Sequence, residues 1–351
     1  MDGLMLTGGL LKDFEAGPIP AGSALAQFLA DTVLGDILSV RCPRPRFRLR
    51  RIGGSPVLRC DEEQTRVSLA LKFYDLKHLD GEQTPCDQHD VRAGIMRTEF
   101  DNIRLVRKLG LDKPPLRAVR PLAVEPGLGC LLVEEFVSGE DLHFIIQEAT
   151  LRSGHALLAD RLAQVAAFLA RLHNISASRD GCDPREPAAY FDKVTGQLRA
   201  GRVISADEEA SLTLIGRRWA ESGDLSAEGA VLIHGDATPT QFLFPGDNEL
   251  VAIDFERLHY ADRAADIGRL AGELKHLFAK YTGDPWESEP FIQGFYDDYY
   301  RAAPEAGGFD RLMQRARFHM ACSELRIARN TWENIGHRRW LVAEALECLS
   351  Q

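Results

Sequence analysis

Two short apolar runs, Ala230-Val231-Leu232-Ile233 and Leu250-Val251-Ala252-Ile253, each stop on charged or polar residues, and Pro245-Gly246-Asp247-Asn248 stands between them. Apolar runs of this length bounded by turn-forming residues read as buried strands, and the turn between them makes a hairpin-like unit. Such a unit delivers Asp236 and Asp254, which follow the two runs, to one place. This stretch, from Val231 to Asp266, organises the reading of the rest of the chain.

Composition sets the bounds. With 351 residues and a mass of 39.0 kDa the chain is long enough for two lobes with separate cores. Apolar residues at 45% and charged residues at 27% are ordinary for a globular protein. The formal charge of -10 and pI near 5.5 argue against nucleic acid or an anionic membrane as the main partner. Seven cysteines, at 42, 60, 86, 130, 182, 322 and 348, form neither a CxxC pair nor a zinc-like spacing, so reduced thiols are expected. The start, MDGLMLTGG, has no basic leader, and no apolar run approaches the roughly 20 residues that span a bilayer; the expected location is the cytoplasm.

Three segments are expected. Residues 1–45 read as an N-terminal helical extension, with a helix capped by Ser23 and apolar residues Leu25, Phe28, Leu29, Val33 and Ile37 on one side, suited to packing or to a homodimer. Residues 46–137 alternate as strands, with Gly53-Gly54 in a tight turn and Val67–Tyr74 carrying one lysine, Lys72, inside an apolar run. Burying that ammonium requires a partner. The helix over 91–110, stopped by Gly110, offers Glu99; the other reading makes Glu99 a surface acid paired with arginines of its own helix. Leu116–Val124 and Gly129–Val137 then read as two more strands. Residues 138–351 are mainly helical, with an amphipathic helix over 156–175 ending near His173, two helices over 186–222, and C-terminal aromatics. Those aromatics read either as core anchors or, beside Asp297, Asp298 and Glu324, as a cage for a cationic ligand.

The string His234-Gly235-Asp236, Gln241 five residues on, and Ile253-Asp254-Phe255-Glu256 resembles the catalytic loop and metal-binding strand of the kinase-like small-molecule phosphotransferases, the aminoglycoside phosphotransferase and choline kinase group, where HGDxxxxN and IDFE replace the HRDxxxxN and DFG of protein kinases. Asp262-Arg263-Ala264-Ala265-Asp266-Ile267-Gly268 is similar to the stretch that follows in choline and ethanolamine kinases. The resemblance implies an α+β, bilobal protein-kinase-like fold: a small antiparallel-sheet N-lobe with one helix (46–137) and a larger, mainly helical C-lobe (138–351). It implies phosphoryl transfer from ATP, or GTP, to a hydroxyl of a small molecule. In that scheme Asp236 orients the acceptor alcohol and Gln241 and Asp254 give oxygen ligands to Mg2+. Lys72, Glu99, Gly53 and Gly54 hold the nucleotide, and the main chain around Glu135 and Val137 reads the base. Asp266 braces the loop. One position departs from the pattern: Gln241 stands where the family carries Asn, its carbonyl one methylene farther out. That departure keeps open a second reading, a weak or inactive nucleotide-binding pseudokinase with a regulatory role. Gly235 replaces the protein kinases' arginine, and the segment from Asp254 to Asp266 is too short for an activation loop, so a small-molecule acceptor is expected.

Overall fold

The computed structural model describes residues 16–52, 57–75, 87–152, 154–226, 229–304 and 308–350. Gly53 and Gly54 lie outside the described residues. The chain is a mixed α+β protein that divides into two compact units, one within Met1–Asp112 and Ala118–Ser138, the other within Lys113–Arg117 and Gly139–Gln351.

The first unit is built on an antiparallel sheet. Gly17–Pro18 pairs with β1 (Phe47–Arg51), and the order continues through β2 (Val57–Glu62), β3 (Ser68–Phe73), β5 (Leu131–Glu135) and β4 (Pro121–Glu125). Strand β1 alternates in the expected way, with Phe47 and Leu49 buried and Arg48 and Arg50 exposed. Ser23 caps α1 (Ala24–Phe28) by accepting from the Ala26 N–H, and the helix runs on as a π-helix over Leu29–Ile37. Leu25, Leu29, Val33 and Leu34 enter one core with Leu49, Leu69, Leu71, Leu131 and Val133. The N-terminal helix therefore completes the sheet's apolar face. Helix α2 (Asp87–Lys108) buries Ala93, Met96, Ile103 and Val106, and the chain then reverses at Gly110, at φ 102. The single strand expected over Leu116–Val124 is broken: Leu116–Ala118 and β4 are separate, because residues 113–117 join the second unit, where the Leu250 N–H bonds the Pro115 carbonyl and Arg117 Nε lies 2.7 Å from Glu249.

The second unit is mainly helical: α3 (Leu142–Leu151), α4 (His155–Ile175), α5 (Arg185–Ala200), α6 (Ala206–Glu221), α7 (Ala264–Thr282), α8 (Glu289–Ala302), α9 (Phe309–Ala328) and α10 (Ile335–Ser350). A Ser205–Glu208 capping box starts α6. Helices α7 and α9 approach closely at Gly268, where a Cβ would sit 2.4 Å from the Ala316 carbonyl oxygen, so glycine sets their separation. Of the C-terminal aromatics, Phe295, Tyr296 and Tyr299 are core residues, whereas Trp286 and Trp332 are exposed.

The hairpin is not the one the sequence suggests. Four strands occupy this stretch: β6 (Val231–Ile233), β7 (Phe242–Gly246), β8 (Glu249–Ala252) and β9 (His259–Ala261). Strand β8 pairs with β7, in register Phe242↔Ala252, while β6 pairs with β9. Phe242-Leu243-Phe244 is short and ends on Pro245-Gly246, so its apolar run was absorbed into the turn. His234 and Gln241 are nonetheless tied to Ile253, the residue before Asp254, through hydrogen bonds described below.

Burial of histidines makes this unit acid-sensitive. Burial pushes His276, which bonds His337 at 2.8 Å, down to about 3, and His319 down to about 4, from the usual 6.5. Below pH 6.5 the unfolded chain binds protons that the folded one refuses, so stability is full above 6.5 and falls as the pH drops toward 4. At pH 5 each of the two should cost on the order of 2 kcal/mol. Urea melts at pH 7.5 and pH 5 test this; equal midpoints would refute it.

Candidate active site

The loop after β6 is held from below. Asp266, in the first turn of α7, is fully buried and accepts from two successive backbone amides, His234 N–H at 2.7 Å (Oδ2) and Gly235 N–H at 3.0 Å (Oδ1). His173 Nε2 lies 3.2 Å from the same Oδ2, and His173 Nδ1 lies 2.7 Å from the Tyr299 hydroxyl. Burial pushes His173 down, which keeps it neutral, with one N–H for Asp266 and one lone pair for Tyr299. A line of hydrogen bonds thus runs from α8 through α4 to the loop. His173, near the end of the helix expected over 156–175, is one link in it.

Gly235 has φ 78, and a Cβ there would stand 2.2 Å from the Arg257 carbonyl oxygen. Glycine is required on both counts. Gly235→Ala should destabilise the protein by at least ~2 kcal/mol and lower its melting temperature; a melt matching wild type would show that the loop can move aside.

His234 Nε2 lies 3.0 Å from the Ile253 carbonyl oxygen, and the Ile253 N–H donates to the Gln241 carbonyl at 3.0 Å. These bonds tie the loop to the residue before Asp254. Gln241 ends the short 3-10 turn Pro239–Gln241. Asp254 adopts φ 64, a left-handed conformation that costs a non-glycine residue ~1–2 kcal/mol and survives where the surroundings enforce it. The carboxylate of Asp254 and the amide oxygen of Gln241 are hard oxygen donors on neighbouring segments, a donor chemistry that fits Mg2+.

Asp236 itself is engaged: Arg269 Nη1, one turn along α7 from Asp266, donates to Asp236 Oδ1 at 2.9 Å. The sequence reading missed Arg269. Its signal was positional, since residues 266 and 269 share a helix face. Gly235, Asp266 and Arg269 line a cavity of about 500 Å3, whose far side is made by Asp183 and Tyr190 of α5 and its approach, and by His319 of α9. Arg185 holds the Asp183 carboxyl down at about 2. Tyr190 is the only tyrosine on this cavity's wall and no tryptophan or phenylalanine joins it, so no aromatic cage forms there among the described residues.

In the first unit, Lys72 Nζ lies 2.7 Å from both carboxylate oxygens of Glu99, the lysine 4% and the acid 0% exposed. Glu99 shares the inward face of α2 with Met96, Ile103 and Val106, at spacings of three, four and seven, so it is not the surface acid of the other reading. The register Lys72↔Leu132 sets Lys72 against β5. At the end of β5 the Glu135 N–H donates to the Arg120 carbonyl (3.0 Å) and the Phe136 N–H to the Ser68 carbonyl (3.2 Å), so those two amides are committed within the unit, and Val137 follows outside the strand.

Residues 88–319 match the phosphotransferase enzyme family known as APH. The chain belongs to this family. No curated protein sequence matches this phosphotransferase-family chain. Solved structures of similar fold include a glucosamine kinase (17% identity, TM-score 0.52, covering 87% of this chain and 81% of that one) and a choline kinase from Cryptosporidium parvum (13%, 0.56, 87% and 89%). The GDP and kanamycin complex of an aminoglycoside phosphotransferase is a third (15%, 0.51, 92% and 97%). At these identities the likeness establishes the family's kinase-like fold: an antiparallel-sheet N-terminal part and a helical C-terminal part.

Proposed function

We propose that this family member transfers the terminal phosphoryl group of ATP, or of GTP, to a hydroxyl of a small molecule such as an amino alcohol, a sugar or an aminoglycoside. The observation that carries the reading is the loop of His234, Gly235 and Asp236, fixed through two backbone amides to buried Asp266, with Gly235, Asp266 and the Asp236 partner Arg269 lining a 500 Å3 cavity. Phosphoryl transfer asks little covalent chemistry of a protein; it asks for alignment and charge stabilisation. Asp236 accepts the hydrogen bond of the acceptor hydroxyl with the oxygen not taken by Arg269, and the cavity holds the remainder of the acceptor. Lys72, oriented by Glu99, binds the nucleotide phosphates. Asp254 and Gln241 would hold magnesium, which when bound offsets charge on the phosphates. The compounds named for the similar structures, glucosamine, choline and kanamycin, are small molecules in the class this cavity suits. Among the described residues no helix is long and apolar enough to cross a membrane.

A second reading, a nucleotide-binding protein that does not turn over, is favoured by two features: the Arg269 bond on Asp236, and glutamine at 241. Thermal-shift titration with ATP and magnesium, run beside ADP release across a library of hydroxyl acceptors, separates the readings. Acceptor-dependent release that disappears in Asp236→Asn supports the transferase; nucleotide binding with no acceptor giving such release supports the second.

A further inference from the structure

Away from the loop of Asp236, three chemically different side chains converge in the first unit. Asp75 lies just past β3, His89 in the first turn of α2, and Cys130 in the turn that feeds β5. Cys130 Sγ is 3.5 Å from His89 Nδ1, His89 Nδ1 is 3.7 Å from Asp75 Oδ2, and one donor atom of each residue lies within 4.8 Å of the other two. A zinc ion that bonds sulfur at about 2.3 Å and nitrogen or oxygen at about 2.0–2.1 Å places tetrahedral ligands roughly 3.3–3.6 Å apart. Two of the three separations are already close to that.

The backbone presents the thiol firmly. Cys130 takes φ 51 directly after Gly129 at φ 72, an uncommon conformation for a side-chain-bearing residue. Its carbonyl accepts from the Tyr74 N–H at 3.2 Å and its N–H donates to the Pro126 carbonyl at 3.1 Å, which anchors the turn against the end of β3. Arg92 reaches Asp75 Oδ1 at 3.5 Å, on the opposite oxygen from the one that faces His89. Outer partners of this kind orient a ligating carboxylate. Burial pushes the Cys130 thiol up to about 12, so it is no nucleophile, and a metal that captures it must release its proton.

We propose that Asp75, His89 and Cys130 form a site for one zinc-type divalent cation, with solvent completing the coordination beside the exposed ring of His89. Thiolate and imidazole donors select zinc over magnesium, which sets this site apart from the oxygen donors Gln241 and Asp254. Asp75 stands three residues after Lys72, and His89 lies on the helix that carries Glu99, so an ion here ties together the two elements whose side chains form the buried Lys72–Glu99 pair.

Cobalt(II) titrated into the metal-free full chain should produce a thiolate-to-metal absorption band that saturates at one equivalent and is displaced by zinc. Cys130→Ser should remove the band and weaken zinc binding at least tenfold, His89→Ala should weaken it comparably, and Cys42→Ser, a half-buried thiol elsewhere in the same unit, should change neither. Melts of the metal-free proteins report whether each variant folds. The proposal is overturned by a wild-type protein with no cobalt–thiolate band, or by a band that persists in Cys130→Ser. Should Cys130→Ser fold poorly, His89→Ala decides, because His89 is exposed: zinc affinity unchanged in that variant overturns the site.

Discussion

Replacing Asp236 with asparagine should lower kcat for phosphoryl transfer by about 10²–10⁴-fold, or ~3–5.5 kcal/mol of barrier, while leaving the apparent affinity for nucleotide near wild type. Asparagine is isosteric and keeps an amide oxygen where Arg269 Nη1 donates at 2.9 Å, so the loop conformation is retained. What the change removes is the anionic oxygen that, in the proposed function, aligns the acceptor hydroxyl and takes its proton. Because the pair with Arg269 is partly exposed, its contribution to stability is small, and the melting temperature should shift by only a few degrees. Steady-state kinetics on a turned-over acceptor, with nucleotide and acceptor varied separately, provide the check. Turnover within tenfold of wild type would mean that another group orients the alcohol.

Asp266→Ala should cost ~3–5 kcal/mol of stability, roughly 10 °C in melting temperature, and abolish turnover. The carboxylate satisfies the His234 and Gly235 amides and the His173 ring at once, and all three would be left buried without an acceptor. Asp266→Asn should be nearly as damaging, since one of its two terminal atoms is a donor facing donors. The pH dependence separates this contribution from that of the histidines. Burial pushes the Asp266 carboxyl up, but the hydrogen bonds from His173 and from the His234 amide outweigh it, and the carboxyl is held below the usual 3.8. A depressed acid contributes stability that is full above 3.8 and is lost as the pH falls through its folded value. The Asp266→Ala deficit should therefore be the same at pH 7 and pH 5, where the His276 and His319 effect is already felt. A deficit under 1 kcal/mol in urea melts would show that water or a neighbour can satisfy the loop amides.

Much of the candidate site was legible because it is local in sequence. His234-Gly235-Asp236 and Ile253-Asp254-Phe255-Glu256 are contiguous strings, and Lys72 stood out as one charge inside an apolar strand, demanding a partner. Glu99 could be chosen among the acids of its helix because it falls on the apolar face. The hairpin failed for an equally physical reason: period-two patterning marks strands but does not choose partners, and β7, which directly precedes the turn, pairs with β8 while β6 pairs with β9. Arg269, Tyr190 and His319 were illegible as site residues, since each is an ordinary helical position until helices from three parts of the chain surround one cavity.

By itself the sequence determined which residues are candidates for chemistry and which segments read as strands or helices. Those follow from side-chain identity and from periodicities that act over a few residues. Only the tertiary structure decided that Asp266 accepts the two loop amides, that His173 and Tyr299 stand behind it, that Arg269 occupies one oxygen of Asp236, and that Asp75, His89 and Cys130 meet. These contacts join residues tens of positions apart, and their distances are set by how helices and sheets pack, where a single glycine such as Gly268 fixes an approach that no local pattern encodes.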